Sequence, residues 1–189
     1  MRRFRSDPVP RPVLEQVLEA ATLAPSAHNC QPWRFAVLVG QEAKESIAQA
    51  MGADFLRDLM GDGLDLQEAQ RQVERSRQRI LGAPVVVVLC LDRSTEDIYP
   101  DQRRQEASHL MMTQSVAIAG GYMLLAVQAH GLGGVWMSAP LYAQSTVRQA
   151  LQLPPEWDAQ GLILLGYPAE LPERRGRYPL AEVVRFIDE

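Results

Sequence analysis

Apolar positions along this chain change period several times, and each change marks an element. Val13, Leu14, Val17, Leu18 and Ala21 recur at the spacing of one helix face, with Pro12 suited to the first turn. Arg34 to Val39 then reads as a strand, and Glu42 to Met51 as a second helix. Residues 52–64 carry Gly52, Gly61 and Gly63 among Phe55, Leu56, Leu59 and Met60, which predicts an interrupted, mobile helical region. Asp65 to Leu81 is strongly polar and reads as a solvated helix. Pro84 to Leu91 is a continuous β-branched run, the pattern of a strand covered on both faces. Gln105 to His130 predicts one long apolar helix capped by Gly131, with Ala117, Ala119, Gly120, Gly121 and Ala126 making it rich in small residues. Gly in a helix interior costs roughly 1 kcal/mol, so a close contact there, with ligand, backbone or a cramped core, is expected. Gly134 to Ser138 and Leu162 to Leu165 complete the strands, with a helix near Gln144 to Leu151 between them. Helices and strands interleave without βαβ regularity, which predicts an α+β domain with helices on both faces of a central sheet.

Composition narrows the class. With 189 residues, 47% hydrophobic and 22% charged, the chain fits one globular domain spanning 1–189, or one subunit of an intertwined oligomer. A net charge of −4 argues against a nucleic-acid or membrane-surface partner. No apolar run is expected to span a bilayer, and no apolar stretch follows the basic Arg2, Arg3 and Arg5, so a cytoplasmic protein is expected. Lys44 is the only lysine, so arginine would meet any phosphate. Cys30 and Cys90 have no cysteine or histidine at ligand spacing, which predicts free thiols and no metal.

Chemistry concentrates between Ala24 and Trp33. Pro25 and Pro32 fix two torsions around Ser26, Ala27, His28, Asn29, Cys30 and Gln31, making a rigid polar loop between helix and strand. A ligand-binding loop and a plain connector both fit that composition. His28, His109 and His130 are scattered, with His109 expected in a core or interface, and no hydrolase or metalloprotease spacing occurs. Gly131 to Gly134 follows a helix and does not open one, so the dinucleotide fingerprint fails. An enzyme lacking acid–base machinery would depend on a cofactor.

The stretch APSAHNCQPWRF resembles the A-P-S-x-x-N-x-Q-P-W motif of the FMN-dependent nitroreductase family. Arg3-Phe4 with Asp7-Pro8-Val9, then Gly131 to Trp136, Gly161 to Pro168 and Arg175 to Leu180 are similar to further family segments in the same order. His130 to Pro168 also resembles the C-terminal flavin domain of ligases that add glutamate to a deazaflavin coenzyme. The resemblance implies a nitroreductase-like fold with a mixed, mainly antiparallel sheet flanked by helices, in an intertwined homodimer with FMN at the subunit interface. It implies phosphate or ribityl contacts from Arg2, Arg175 and Arg177, and a partner-subunit loop formed by Pro25, Ser26, Ala27 and Asn29. Backbone donors of Ser138, Ala139 and Pro140 would face the isoalloxazine, and Arg75 or Gln78 its pyrimidine edge. No side chain would be catalytic, since the flavin carries the chemistry.

By the same resemblance, NAD(P)H would reduce the flavin and a quinone, nitroaromatic or similar electrophile would reoxidise it in a ping-pong cycle. Relatives that fragment flavin with oxygen, dehalogenate tyrosines or oxidise azolines, and a flavin or deazaflavin carrier, are the alternatives. Family arms usually begin upstream of the residue matched by Arg2, so either the phosphate site is weakened or the true start lies upstream of Met1. The short segment Arg93 to Arg104 leaves residues 52–64 as the lid, or an open pocket.

Overall fold

The computed structural model describes residues 3–170, 173 and 176–187. Four strands form its sheet: β1 (Trp33–Leu38), β2 (Val85–Asp92), β3 (Gly133–Met137) and β4 (Trp157–Gly166). Their order is β1-β2-β4-β3, and every neighbouring pair is antiparallel. The helices are α1 (Arg11–Thr22), α2 (Gln41–Gly61), α3 (Leu66–Leu81), α4 (Gln102–Ala129), α5 (Gln144–Ala150) and a final turn, α6 (Leu180–Val183). Tight 3-10 turns lie at Ala27–Asn29, Arg93–Thr95 and Ala139–Tyr142.

Strand β2 is buried along its whole length. Val85, Val87, Leu89 and Leu91 face α1 and α4, where they join Leu14, Val17, Met112 and Met123. Val86, Val88 and Cys90 face α2 and α5, where they join Ile47, Ala48 and Val147. The period of two therefore feeds two cores from one strand, and β-branched side chains suit both. Burial pushes the Cys90 thiol up to about 12. Cys30 is half-buried and its thiol meets the Met112 sulfur at 3.2 Å.

Three expectations change. Residues 52–61 are not an interrupted segment; they continue α2 without a break. Gly52 lets α2 approach α3 closely, since a Cβ there would sit 3.2 Å from Val73 Cγ1, and this packing outweighs the helix penalty of glycine. His109 is half-exposed, 3.5 Å from the Glu96 carboxylate, which removes the core from its two expected places and leaves the interface. Finally, α4 is long and apolar enough to cross a membrane, although its interspersed Ser and Gln residues hide this from a search for runs. Its buried face packs Met112, Val116, Ala119, Met123 and Val127 against the sheet, as a core helix does.

The opposite face of α4 is covered by nothing described. Leu110, Ile118, Tyr122 and Leu125 are all exposed there, Leu125 at 71%. Every described residue from 176 to 187 is also exposed, including Leu180, Val183, Phe186 and Ile187. Exposed apolar surface of this extent is unusual on a protein that works alone.

Candidate functional site

A cleft of about 680 Å³ opens between the α2–α3 pair and the turn after β3. The sequence builds each wall for a local reason. Asp65 caps α3 by accepting from the backbone N–H groups of Gln67 (2.9 Å) and Glu68 (3.2 Å). Gly63, at φ 85°, makes the left-handed turn that folds α3 back along α2. On α2, Asp54 accepts from the Thr146 hydroxyl of α5 and pairs with Arg57 at 2.8 Å. The Thr146 hydroxyl, with Arg57 adding a smaller contribution, holds the Asp54 carboxyl below the usual carboxylate range. The Asp54–Thr146 contact ties the α2 wall to α5.

The cleft surface is mixed in a definite way. Met51, Phe55 and Leu59 of α2 give one apolar side, and Met137 and Ala139 give the floor beside β3. Arg75, Ser76 and Arg79 of α3 supply polar groups on the remaining side. Arg75 approaches Glu68 at 3.7 Å, while Arg79 makes no ion pair or hydrogen bond among the described residues. The apolar Ala69, Val73 and Ile80 mark the packed stripe of α3, but that stripe alone does not say which of its arginines line the cleft. Of the two residues suggested for this edge, Arg75 lines the cleft, whereas Gln78 donates to Glu74 and does not. Ser76 and Arg79 were missed. Their signal is the i, i+3, i+4 spacing with Arg75 and Gln72, which becomes visible only once the inward face of α3 is known.

The turn after β3 carries Ser138, Ala139 and Pro140. Ala139 lines the cleft and Pro140 is buried beneath it. Ser138 is exposed and its hydroxyl accepts from the Trp136 indole N–H at 2.8 Å. Ala139 heads a 3-10 turn, so no carbonyl inside that turn receives its N–H, and Pro140 has none to offer.

The loop Pro25 to Asn29 does not line this cleft. It lies against α4, where the Ala27 N–H donates to Ser115 Oγ at 3.2 Å. Ser26 Oγ accepts from the Gln31 N–H at 3.0 Å, closing the loop on itself. His28, Asn29 and Gln31 all adopt positive φ, at 51°, 54° and 48°. Three non-glycine residues in that region within four positions form a strained and tightly defined loop.

Arg177 sits apart from the cleft in the exposed C-terminal segment, beside Tyr178 and Glu182, and donates to the Gly176 carbonyl at 3.0 Å. Arg2 and Arg175 lie outside the described residues. The N-terminal arm docks beside the end of β4: Phe4 bridges Pro168, and the Arg5 N–H donates to the Tyr167 carbonyl at 2.8 Å. One protomer therefore brings Ala139 together with Arg75, Ser76 and Arg79, but leaves the Ser26 loop and Arg177 elsewhere. No group of three or more His, Cys, Asp or Glu side chains among the described residues could hold a metal ion.

Comparison with known proteins adds an independent line. The sequence model described as "Nitroreductase family" matches residues 1–167. The chain is 33% identical to a protein named NADH dehydrogenase from Thermus thermophilus, over 97% of this chain and 89% of that one. It is 31% identical to a 5,6-dimethylbenzimidazole synthase from Rhodospirillum rubrum, over 98% and 82%. A nitroreductase structure from Desulfovibrio desulfuricans in complex with FMN superposes with a TM-score of 0.71 at 27% identity, covering 97% of this chain and 88% of that one.

Proposed function

The chain belongs to the nitroreductase family, and from that premise we propose that it is a homodimeric FMN-dependent oxidoreductase. It takes hydride from NAD(P)H and passes it to a quinone, nitroaromatic or similar electrophilic acceptor in a ping-pong cycle. Residues 1–189 form one such domain, which works in the cytoplasm without nucleic-acid or membrane partners.

The observation that carries this reading is the cleft beside Ala139. Its donor set fits an isoalloxazine: apolar Met51, Phe55 and Met137 suit the ring surface, and the Arg75 and Arg79 guanidiniums with Ser76 suit the pyrimidine edge. Bound FMN supplies the two-electron chemistry. The protein binds, orients and shields. Ala139 lines the cleft at the head of a 3-10 turn, and a backbone N–H offered there would stabilise developing charge without a reacting side chain. Arg2, Arg175 and Arg177 hold the phosphate. Pro25, Ser26, Ala27 and Asn29 reach the flavin of the partner subunit, consistent with their absence from the cleft of their own protomer.

The exposed apolar face of α4 and the uncovered C-terminal segment support the dimer, since each offers apolar surface for the other subunit to bury. The test is an anaerobic absorption titration of the FMN-loaded protein with NADH and with NADPH. Bleaching of the flavin band is expected and ranks the donors. Bound flavin that refuses both donors would transfer the assignment to a flavin or deazaflavin carrier. A second reading, oxygen-dependent flavin fragmentation, is favoured by the similarity to the Rhodospirillum rubrum synthase. It requires a cleavage product when the reduced protein meets oxygen.

A further inference from the structure

We propose that Trp136 is the positioning residue of the flavin site, acting through Ser138 to fix the turn that carries Ala139. The inference rests on the functional reading above, but its evidence is separate. Strand β3 alternates its side chains: Met137 and Ala139 lie on the cleft side, and Trp136 lies on the α4 side against the other core. The indole therefore never touches the cleft, yet it is held on three sides.

From α4, Gly120 admits it: a Cβ there would fall 2.2 Å from Cζ3. From β4, Gly161 admits it: a Cβ there would fall 2.9 Å from Cζ2 and 3.2 Å from Nε1. Gly161 follows the one irregularity in the β2–β4 ladder, where the register shifts between Leu89 and Cys90. Two glycines on separate elements thus leave a slot for one ring. The third restraint is the hydrogen bond from Nε1 to Ser138 Oγ at 2.8 Å. It spans only Met137, so the ring position dictates where the strand ends and the 3-10 turn begins.

The turn itself is closed by two further bonds, Leu141 N–H to the Ser138 carbonyl (3.0 Å) and Ala143 N–H to the Pro140 carbonyl (2.9 Å). A shift at Ser138 therefore displaces the Leu141 bond and with it the Ala139 amide plane. The Ser138 hydroxyl is engaged by the indole, which leaves the backbone of the turn as the part expected to meet the flavin.

The test uses Trp136→Phe, which keeps an aromatic ring and removes the N–H, and Ser138→Ala, which removes an exposed acceptor without burying anything. In the apoprotein, hydrogen exchange of the Leu141 and Ala143 amides should accelerate about fivefold in both variants, the factor carried by one neutral hydrogen bond. In the FMN-loaded protein, both variants should show the same displaced flavin absorption band and a raised FMN dissociation constant. The double variant should be no worse than either single, and Ser138→Thr, which retains the acceptor, should restore the wild-type band. Unchanged exchange, or faster exchange with an unmoved band and affinity, overturns the positioning role. Wild-type protein that binds no FMN overturns the functional reading and this role with it. Wild-type binding matched by both variants overturns this role alone.

Discussion

Gly120→Ala is the substitution whose cost follows most directly from the coordinates. The added Cβ meets Trp136 Cζ3 at 2.2 Å, Leu89 Cδ1 at 2.9 Å and Trp136 Cε3 at 3.1 Å. The leucine methyl can turn away, but the indole is backed by Gly161 and tied to Ser138. Overpacking of a core typically costs about 1–3 kcal/mol, whereas replacing glycine with alanine inside a helix returns about 1 kcal/mol. The net expectation is a loss of up to about 2 kcal/mol, or a fall in Tm of up to roughly 8 °C for a chain of this size. The assay is urea unfolding of the apoprotein at fixed concentration, because dissociation of the proposed dimer would otherwise enter the midpoint. Trp136→Phe provides the control: it removes Cζ3 and Cε3 of the indole, so Gly120→Ala in that background should be neutral or stabilising by up to about 1 kcal/mol. A penalty of equal size in both backgrounds would refute the reasoning, since the cost would then lie in the backbone of α4 and not in the ring.

Arg79→Ala should raise the FMN dissociation constant roughly tenfold or more, measured by flavin fluorescence, as expected for loss of a charge-assisted contact of about 1.5–3 kcal/mol. Arg77→Ala, on the same helix but outside the cleft, should leave it unchanged. Lys44 is buried, donates to the Ala83 carbonyl at 3.0 Å, and has its pKa lowered from 10.5 by desolvation. The folded state therefore releases this proton before the unfolded state does. Stability relative to Lys44→Met should rise with pH between the folded value and 10.5, as read from paired urea melts; a flat or falling difference would count against it.

Much of the architecture is legible from residue pattern because it rests on strong local signals. Val85 to Leu91 has nowhere to go but a two-faced strand, and Val13, Leu14, Val17 and Ala21 can form only one helix face. The continuation of α2 through Gly52 is not legible, because the glycine that looks like a break is a packing device against Val73. The fourth strand was expected only from Leu162, yet begins at Trp157. Its first residues, Trp157 and Asp158, are set by pairing with Asp92 and Leu91, a long-range choice with no local period. For the site, the motif around Ser26 and the segment around Ala139 are visible by resemblance. Ser76 and Arg79 are not, since the apolar stripe of Ala69, Val73 and Ile80 shows which side of α3 packs but not which of the polar residues beside it line a cleft formed with the turn after β3. The pairing of Trp136 with Gly120 and Gly161 joins three elements and leaves no trace in any one of them.

The loop around Ser26 has a consequence for assembly. His28, Asn29 and Gln31 already occupy left-handed backbone regions in the single protomer, locked by Ser26 and Ser115. Folding of the protomer has thus met the cost of ordering this surface, and a second subunit finds it finished. The segment from 176 to 187 is the opposite case: it is exposed throughout, so ordering it against a partner would cost up to about 1–2 kcal/mol per residue at the moment of association. In the proposed dimer one subunit thus offers a rigid receptor surface and takes up a strap, and the other does the same in return. Encounter would be governed by the rigid loops and escape by the straps, which places the lifetime of the assembly in residues 176–187.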